Sequence, residues 1–250
     1  MEERKEDGRR GVCLIVGAGD GLGSALVRAF AAEGYVIAMT RRARNLETLE
    51  ALAETVRAGG GTAHAYGVDA RDEAEMDALF AAIERDVGPL QVVVFNIGAN
   101  VRFGITETTA RVFQKVWEMA CFAGFLTGRA AARAMLPRER GTILFTGATA
   151  SLRGRDGFSA FAAAKHGLRA VAQSMARELG PKGIHVGHIV VDGPIDGVFI
   201  RGLRDDVEQA LARDEVLKPD DVAQAFVAIH RQPRSAWTHE LDVRPWRESW

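Results

Sequence analysis

The sequence predicts an α/β fold in which helices cover both faces of a parallel sheet, a three-layer doubly wound arrangement. Strand and helix patterns alternate along almost the whole chain of 250 residues, and repeated βα units of this size imply a right-handed doubly wound sheet. The strand-like runs are β-branched and aliphatic without polar alternation, as in strands buried on both faces. No shift in composition divides the chain. We therefore expect one domain over residues 11–250, after a charged flexible tail at residues 1–10.

The first predicted strand runs into a glycine-rich turn within residues 12–23, and a helical pattern begins at Ser24. Pro137 ends a long helical region, and Gly180 with Pro181 ends the helix that follows it. The further strands are expected at residues 35–40, 62–68, 91–95, 141–145, 184–191 and 238–243. The further helices are expected at residues 46–58, 73–87, 106–136, 158–179 and 220–230.

Composition excludes several classes of function. The net charge of -1 argues against a nucleic-acid-binding surface and against a basic membrane-binding surface. No apolar stretch approaches the ~20 residues needed to span a bilayer, and the mixed-charge N-terminus does not have the pattern of a signal peptide. Cys13 and Cys121 have neither disulfide nor metal-site spacing. We expect a cytoplasmic protein with a small-molecule substrate, no metal, no nucleic acid and no membrane.

The turn after the first strand has the composition of a phosphate-binding loop. Glycine permits a tight turn and lets backbone approach a ligand, and the start of the next helix offers free N–H groups and the positive end of a dipole. Between a strand and a helix, such a turn indicates a dinucleotide site; the alternative is a plain tight βα turn. The glycines are Gly17, Gly19, Gly21 and Gly23.

From about Gly11 to its C-terminus the chain resembles the short-chain dehydrogenase/reductase family. The glycine spacing matches the family's, and Asn96-Ile97-Gly98 matches in part a family motif in which Phe95 and Ile97 would be Asn and Ala. The resemblance implies a Rossmann fold, an oxidoreductase that acts on a carbonyl or alcohol with a nicotinamide cofactor, and a homodimer or homotetramer. The cofactor-binding positions that it implies here are Gly17, Gly19, Asp20, Gly21, Leu22, Gly23, Asp69, Ala70, Asn96, Gly98, Lys165 and Gly193.

The end of the second predicted strand favours NADP(H) over NAD(H). NAD-specific folds place there an acid that binds the ribose 2′-hydroxyl, whereas this chain has Arg41 and Arg42, followed by Arg44. A guanidinium can hold a 2′-phosphate with paired charge-assisted hydrogen bonds. The alternative is a solvated basic patch, and Asp20 argues slightly against NADP(H) because that position is often basic in NADP-preferring relatives.

At three of the four catalytic positions implied by the resemblance, this chain lacks the family's residue. Lys165 matches the family's lysine, but the positions of its tyrosine, serine and asparagine fall on Phe161, Ala148 and Cys121. The chain has only two tyrosines, Tyr35 and Tyr66, both on predicted strands in the adenosine half of the site. A phenylalanine cannot donate a proton, and loss of a general acid costs roughly 10²–10⁴ in rate.

These departures leave three hypotheses: an atypical NADP(H)-dependent oxidoreductase with an unassigned proton donor, a catalytically impaired cofactor-binding protein, or a scaffold without cofactor. A buried Asp192 or Asp196 with a raised pKa could replace the acid, although turn formation or capping also explains both. The hydroxyls of Thr149, Ser151 and Ser159 are further candidates, each with the simpler role of a loop bond or cap. Residues 195–217 are expected to form a substrate lid.

Overall fold

A computed structural model describes residues 10–247, in which seven parallel strands form one sheet. The strand order is β3-β2-β1-β4-β5-β6-β7, which reverses direction between β1 and β4. The predicted doubly wound fold is confirmed. Of the predicted tail, residues 1–9 lie outside the described residues and Arg10 already begins β1. The strands are β1 Arg10–Val16, β2 Tyr35–Arg41, β3 Ala63–Gly67, β4 Leu90–Phe95, β5 Gly141–Thr146, β6 Ile184–Val191 and β7 Glu240–Val243.

Helices cover both faces of the sheet and create two hydrophobic cores. One core includes Phe30 and Phe226 beside the sheet, and the other includes Phe80 and Leu168 on the opposite face. The helices are α1 Leu22–Ala32, α2 Leu46–Ala58, α3 Glu73–Ala82, α4 Ala110–Trp117, α5 Ala123–Met135, α6 Ser159–Leu179, α7 Val198–Arg201, α8 Val207–Ala212 and α9 Pro219–His230.

The long predicted helix at residues 106–136 is wrong at its start and in its continuity. It begins at Ala110, because the Thr109 hydroxyl accepts the N–H of Val112 at 3.2 Å and thereby caps the first turn. A π-helical turn, Glu118–Phe122, then separates α4 from α5. Such turns are often found at functional sites, and this one carries Cys121 toward α6.

Within residues 10–247, no helix combines the length and hydrophobicity that a membrane crossing requires. The same part of the chain contains no cluster of three or more His, Cys, Asp or Glu side chains arranged to hold a metal ion.

Candidate active site

Two adjoining cavities lie at the carboxyl ends of the central strands, where the strand order reverses. Open parallel sheets bind ligands in this crevice. The smaller cavity, about 270 Å³, reaches over the end of β2, and the larger, about 650 Å³, lies over the ends of β5 and β6. Asn96, Ile97 and Gly98, which follow β4, line both cavities. One extended ligand can therefore occupy both.

The turn between β1 and α1 closes tightly on the sheet. Gly17 has a φ of +96°, a conformation that glycine adopts without strain, and its N–H donates to the carbonyl oxygen of Thr40 at 3.2 Å. A Cβ at Gly23 would lie only 2.5 Å from the carbonyl oxygen of Gly17. Both positions therefore require glycine, one for conformation and one for packing.

The opposite side of this turn faces the cavities. Chain neighbours apart, no described residue has a heavy atom within 4 Å of where a Cβ of Gly19 would stand, and Gly19 lines the smaller cavity. Helix α1 begins at Leu22 after Gly21, without a side-chain cap and without an acidic residue in its first turn. Asp20, Gly21 and Leu22 line the larger cavity. Backbone amides at a helix start favour an anion, so the open side of the turn fits a pyrophosphate.

Two arginines at the end of β2 line the smaller cavity. The Arg41 guanidinium donates to Asp20 at 3.3 Å, whereas Arg42 forms no ion pair with any residue from 10 to 247. Burial, together with repulsion from Arg44 and Arg71, lowers the pKa of Arg42. The cavity is thus a cationic environment in which an added anion relieves repulsion.

Asp69 lies in the smaller cavity with Ala70, and its carboxylate already has a partner. The Arg71 side chain donates to it at 2.9 and 2.5 Å, and the Arg71 backbone N–H donates at 3.1 Å. These bonds hold the pKa of Asp69 below its usual range. Asp69 stays a predicted cofactor-binding residue, and Arg71 competes with the cofactor as a hydrogen-bond donor to its carboxylate.

Asn96 and Lys165 meet between the two cavities. The Asn96 amide donates to the carbonyl oxygen of Gly17 at 3.1 Å and accepts the Thr146 hydroxyl at 3.0 Å. Lys165 Nζ donates to the carbonyl oxygens of Thr146 at 2.8 Å and Ile97 at 3.3 Å. Sequence reasoning missed Thr146. A polar residue at the end of an apolar strand, where parallel sheets bind ligands, could have indicated this site residue.

Lys165 is 2% exposed, yet it lines the larger cavity. Burial lowers the pKa of its ammonium to about 8, and the nearby Cys121 opposes this shift slightly. A lysine in such surroundings exchanges a proton near physiological pH far more readily than an exposed lysine does.

The positions predicted to have lost their catalytic groups lie around Lys165. Phe161 lines the larger cavity one helical turn before the lysine, with its ring centroid 5.9 Å from Nζ. Ala148 lines the same cavity, whereas Cys121 lines neither and packs against α6 at Gly167. Burial raises the pKa of the Cys121 thiol, which does not favour a nucleophile.

Neither tyrosine borders the cavities. Tyr35 begins β2, at the opposite end of the sheet from the cavities, and its hydroxyl lies 2.5 Å from His230 Nε2. Tyr66 belongs to β3, and burial raises the pKa of its hydroxyl. Neither side chain can serve as the proton donor in the larger cavity.

The idea of an acid at Asp192 or Asp196 is wrong, because arginines hold both carboxylates. Buried Asp192 accepts the Thr149 hydroxyl at 2.5 Å and the Arg153 guanidinium at 3.3 Å. Asp196 accepts two bonds from Arg201, at 2.6 and 2.9 Å, which keep the pKa of Asp196 low. Asp196 therefore stays charged and has no proton to donate, and Asp192, occupied by Thr149 and Arg153, does not line the larger cavity.

The other hydroxyl candidates have local partners or lie outside the cavity. Ser151 is fully buried and its oxygen accepts the Ala148 N–H at 3.1 Å. Ser159 Oγ is buried without a hydrogen-bond partner among the described residues, and Ser159 lines neither cavity. Thr149 does line the larger cavity, but its hydroxyl donates to Asp192.

The segment predicted as a lid borders the larger cavity. Its ends are joined by a bridge between Ile195 and Leu217, and it carries α7 and α8. Residues 195–200 line the cavity together with Gly193, which precedes them. Val198 and Phe199 are 73% and 54% exposed, so this segment presents apolar side chains to solvent at the cavity mouth.

Comparisons with known proteins agree with this architecture. Residues 11–206 match the family model described as short chain dehydrogenase. The chain is similar to a bovine 3-oxoacyl-[acyl-carrier-protein] reductase, 29% identical over 223 residues that cover 89% of this chain and 92% of that protein. It is also similar to the crystal structure of a short-chain dehydrogenase from Rhodopseudomonas palustris. That match is 48% identical, has a TM-score of 0.81 and covers 94% of this chain and 99% of the other.

A further solved structure, a variant of actinorhodin polyketide ketoreductase with NADPH, gives a TM-score of 0.85 at 24% identity and covers 94% of this chain and 97% of the other. At that identity the likeness shows the fold alone. The family model extends over most of the chain, and the strand order and the glycine turn at the switch point agree with it. The protein belongs to the short-chain dehydrogenase family.

Proposed function

We propose that the chain is an atypical NADP(H)-dependent oxidoreductase that interconverts a carbonyl compound and an alcohol. One observation carries the proposal: the cationic cavity at Arg42 and the cavity at Lys165 are joined through Asn96 and Gly98. A dinucleotide needs such a continuous groove, with an anion site at one end and a reaction site at the other.

The chain's residues fit such a cofactor along its whole length. The open side of the turn at Gly19 and the start of α1 suit a pyrophosphate, since no described side chain fills that space. Arg41 and Arg42 would hold a 2′-phosphate, and Asp69 with Ala70 would border adenine. The residues proposed to meet the nicotinamide half are Asn96, Gly98, Lys165 and Gly193.

NADP(H) is favoured over NAD(H) by charge. NADH has no phosphate on its adenosine ribose, so it would add no anion to oppose the repulsion of Arg42 by Arg44 and Arg71, which Asp69 offsets only in part. A 2′-phosphate would accept paired hydrogen bonds from the guanidinium groups. The Asp20 carboxylate neutralises Arg41 in part, which makes Arg42 the main determinant of this preference.

The larger cavity suits a substrate with an apolar part. Phe158, Phe161, Phe199 and Ile200 border it, and the cationic Arg155 lies at its edge. When bound, the reduced nicotinamide supplies a hydride for the carbonyl carbon. The chain orients the carbonyl against Lys165, while the aromatic side chains exclude water from the reacting atoms.

Calorimetric titration with NADPH and NADH in parallel tests the cofactor claim, and turnover of acetoacetyl-N-acetylcysteamine tests the reaction. This thioester is chosen because the bovine relative is named for 3-oxoacyl reduction. We expect NADPH to bind at least tenfold more tightly than NADH, a difference of about 1.4 kcal/mol, and to be oxidised only when the thioester is present. If neither cofactor binds, the proposal fails.

A second candidate is a cofactor-binding protein without turnover, such as a redox sensor or the partner of an active paralogue. Phe161, Ala148 and Cys121 favour it, because none of them supplies the chemistry that the family uses at those positions. The combined variant Phe161→Tyr with Ala148→Ser separates the two candidates. Turnover that arises only in this variant supports the second candidate, whereas turnover by the wild-type chain excludes it.

We also propose that the chain assembles as a homodimer or homotetramer through its α4–α5 region. Trp117 and Phe125 are 41% and 38% exposed there, and both stack on Phe122, with ring centroids 5.8 and 6.3 Å apart. Exposed aromatic clusters of this kind mark protein contacts. Light scattering of the wild-type chain and of Trp117→Ser should give a smaller mass for the variant.

A further inference from the structure

Among the described residues that line the larger cavity, Lys165 carries a proton whose pKa, about 8, lies close to neutral pH. Its carboxylates, Asp20 and Asp196, are each paired with an arginine. Its hydroxyl donors are in use, since Thr146 donates to Asn96 and Thr149 donates to Asp192. Among the described residues that line this cavity, the lysine ammonium is the remaining candidate.

The surroundings of Lys165 leave a hydrogen for a substrate. An ammonium has three N–H donors, and the acceptors that Nζ meets among the described residues are the carbonyl oxygens of Thr146 and Ile97. Thr146 is the last residue of β5 and Ile97 follows β4, so both carbonyls lie at the carboxyl ends of central strands and anchor Nζ at the cavity wall. Phe161, one helical turn earlier, has no hydroxyl that could stand between Nζ and a substrate oxygen.

We propose that the Lys165 ammonium itself donates the proton to the carbonyl oxygen of the substrate. The inference rests on the proposed function and names the proton donor that it lacks. As a nicotinamide hydride reaches the carbonyl carbon, the π-bond electron pair moves to the oxygen. That oxygen forms an O–H bond with a proton from Nζ, whose N–H bond breaks. Lys165 is left as a neutral amine, which solvent reprotonates, and the net reaction consumes one reduced cofactor and one proton.

The acidity of Lys165 suits this role. With a pKa of about 8, the group is mostly charged at pH 7 and becomes neutral just above the physiological range. An effective general acid has a pKa near the operating pH. Reduction should therefore slow as the pH rises through about 8, and alcohol oxidation should become faster over the same interval.

Two titratable groups interact electrostatically with Lys165, and neither changes its protonation state in that interval. Cys121 of the π-helical turn stays a protonated thiol, since burial raises its pKa. His188 of β6 is neutral, because burial lowers its pKa to about 4. Across the cavity, Asp20, Asp196 and Arg153 are held in ion pairs. A transition near pH 8 would therefore report on Lys165.

The first test needs neither cofactor nor turnover. The chain has five lysines, so a protein carrying ¹³C at every lysine Cε gives few signals in an NMR titration, and Lys165→Arg identifies the one that belongs to Lys165. We expect this signal to titrate near pH 8, well below the pKa of about 10.4 that a lysine side chain has in water. A Lys165 signal that titrates above pH 10 overturns the proposal.

The second test uses Lys165→Arg in the full chain. Arginine keeps the charge and donors but cannot give up a proton in this pH range. We expect reduction of the thioester probe to fall by about 10²–10⁴-fold, with NADPH affinity kept within tenfold. Adding Phe161→Tyr to Lys165→Arg should make reduction at least tenfold faster than in Lys165→Arg alone, because a phenol then supplies the proton. The matched control, Phe158→Tyr on the Lys165→Arg background, places a phenol elsewhere on the cavity wall and should restore nothing.

The outcomes separate the inference from the proposed function. If the wild-type chain reduces the probe and Lys165→Arg does so at a similar rate with the same pH profile, the proposed function stands and Lys165 is not the donor. If the wild-type chain shows no reduction at all, the proposed function fails and the inference fails with it. NADPH affinity measured on each variant excludes misfolding as the cause of a loss.

Discussion

Replacement of Arg42 by alanine should convert a chain that prefers NADPH into one that hardly distinguishes the two cofactors. Arg42 lines the smaller cavity, makes no ion pair with a described residue and is repelled by Arg44 and Arg71. A hydrogen bond to a charged group contributes about 1.5–3 kcal/mol. Loss of that contribution corresponds to a roughly 10- to 150-fold weaker NADPH complex. NADH, which has no 2′-phosphate, should bind within about threefold of its wild-type affinity.

Arg44→Ala is the matched control. Arg44 follows on the same turn and is exposed, but it does not line the smaller cavity. Calorimetric titration of the three proteins with both cofactors in one buffer gives every affinity needed, and Arg44→Ala should change the NADPH affinity by less than about threefold. An equal loss of NADPH and NADH affinity in Arg42→Ala would show that Arg42 supports the fold of the site rather than recognising the phosphate.

Two further predictions concern stability. Gly23→Ala should lower the free energy of unfolding by about 1–3 kcal/mol, because its Cβ would lie 2.5 Å from the carbonyl oxygen of Gly17. Gly19→Ala, which meets no such neighbour, should leave that free energy nearly unchanged but weaken NADPH binding; thermal melting and calorimetry on both variants check this. His188, with a pKa of about 4 when folded, should make the protein less stable as the pH falls from 6.5 to 4. In that interval the unfolded chain binds a proton that the folded chain does not, which lowers the free energy of unfolding by up to about 3 kcal/mol. His188→Asn should remove that part of the slope in urea unfolding between pH 4.5 and 7.

The fold was predictable because short stretches of sequence determine its strands and its glycine turn. The buried strands and the glycine turn depend on the spacing of neighbouring residues, and in the structure the strands begin and end within a residue or two of the predicted bounds. The start of α4 was mispredicted because Thr106 and Thr109 both resemble caps, and only the Thr109 side chain accepts the N–H of Val112.

The partners of charged side chains were much harder to predict. Asp192 and Arg153 are 39 positions apart, so no spacing rule joins them, and the sequence left Asp192 as a candidate acid. Arg71 is only two residues from Asp69, but that pairing depends on how the loop after β3 folds. The burial of Lys165, from which its altered pKa follows, required the packing of α6 against β5 and the π-helical turn.

Isotope transfer by the wild-type chain tests directly whether the protein is a reductase. NADPH that carries deuterium at the nicotinamide C4 is incubated with the protein and acetoacetyl-N-acetylcysteamine, and the products are separated and analysed by mass spectrometry. We expect a hydroxy thioester with a single deuterium on the former carbonyl carbon, formed together with NADP⁺ and absent with heat-denatured protein. Recovery of unreduced thioester under conditions in which NADPH is bound would show instead that the chain binds its cofactor without using it.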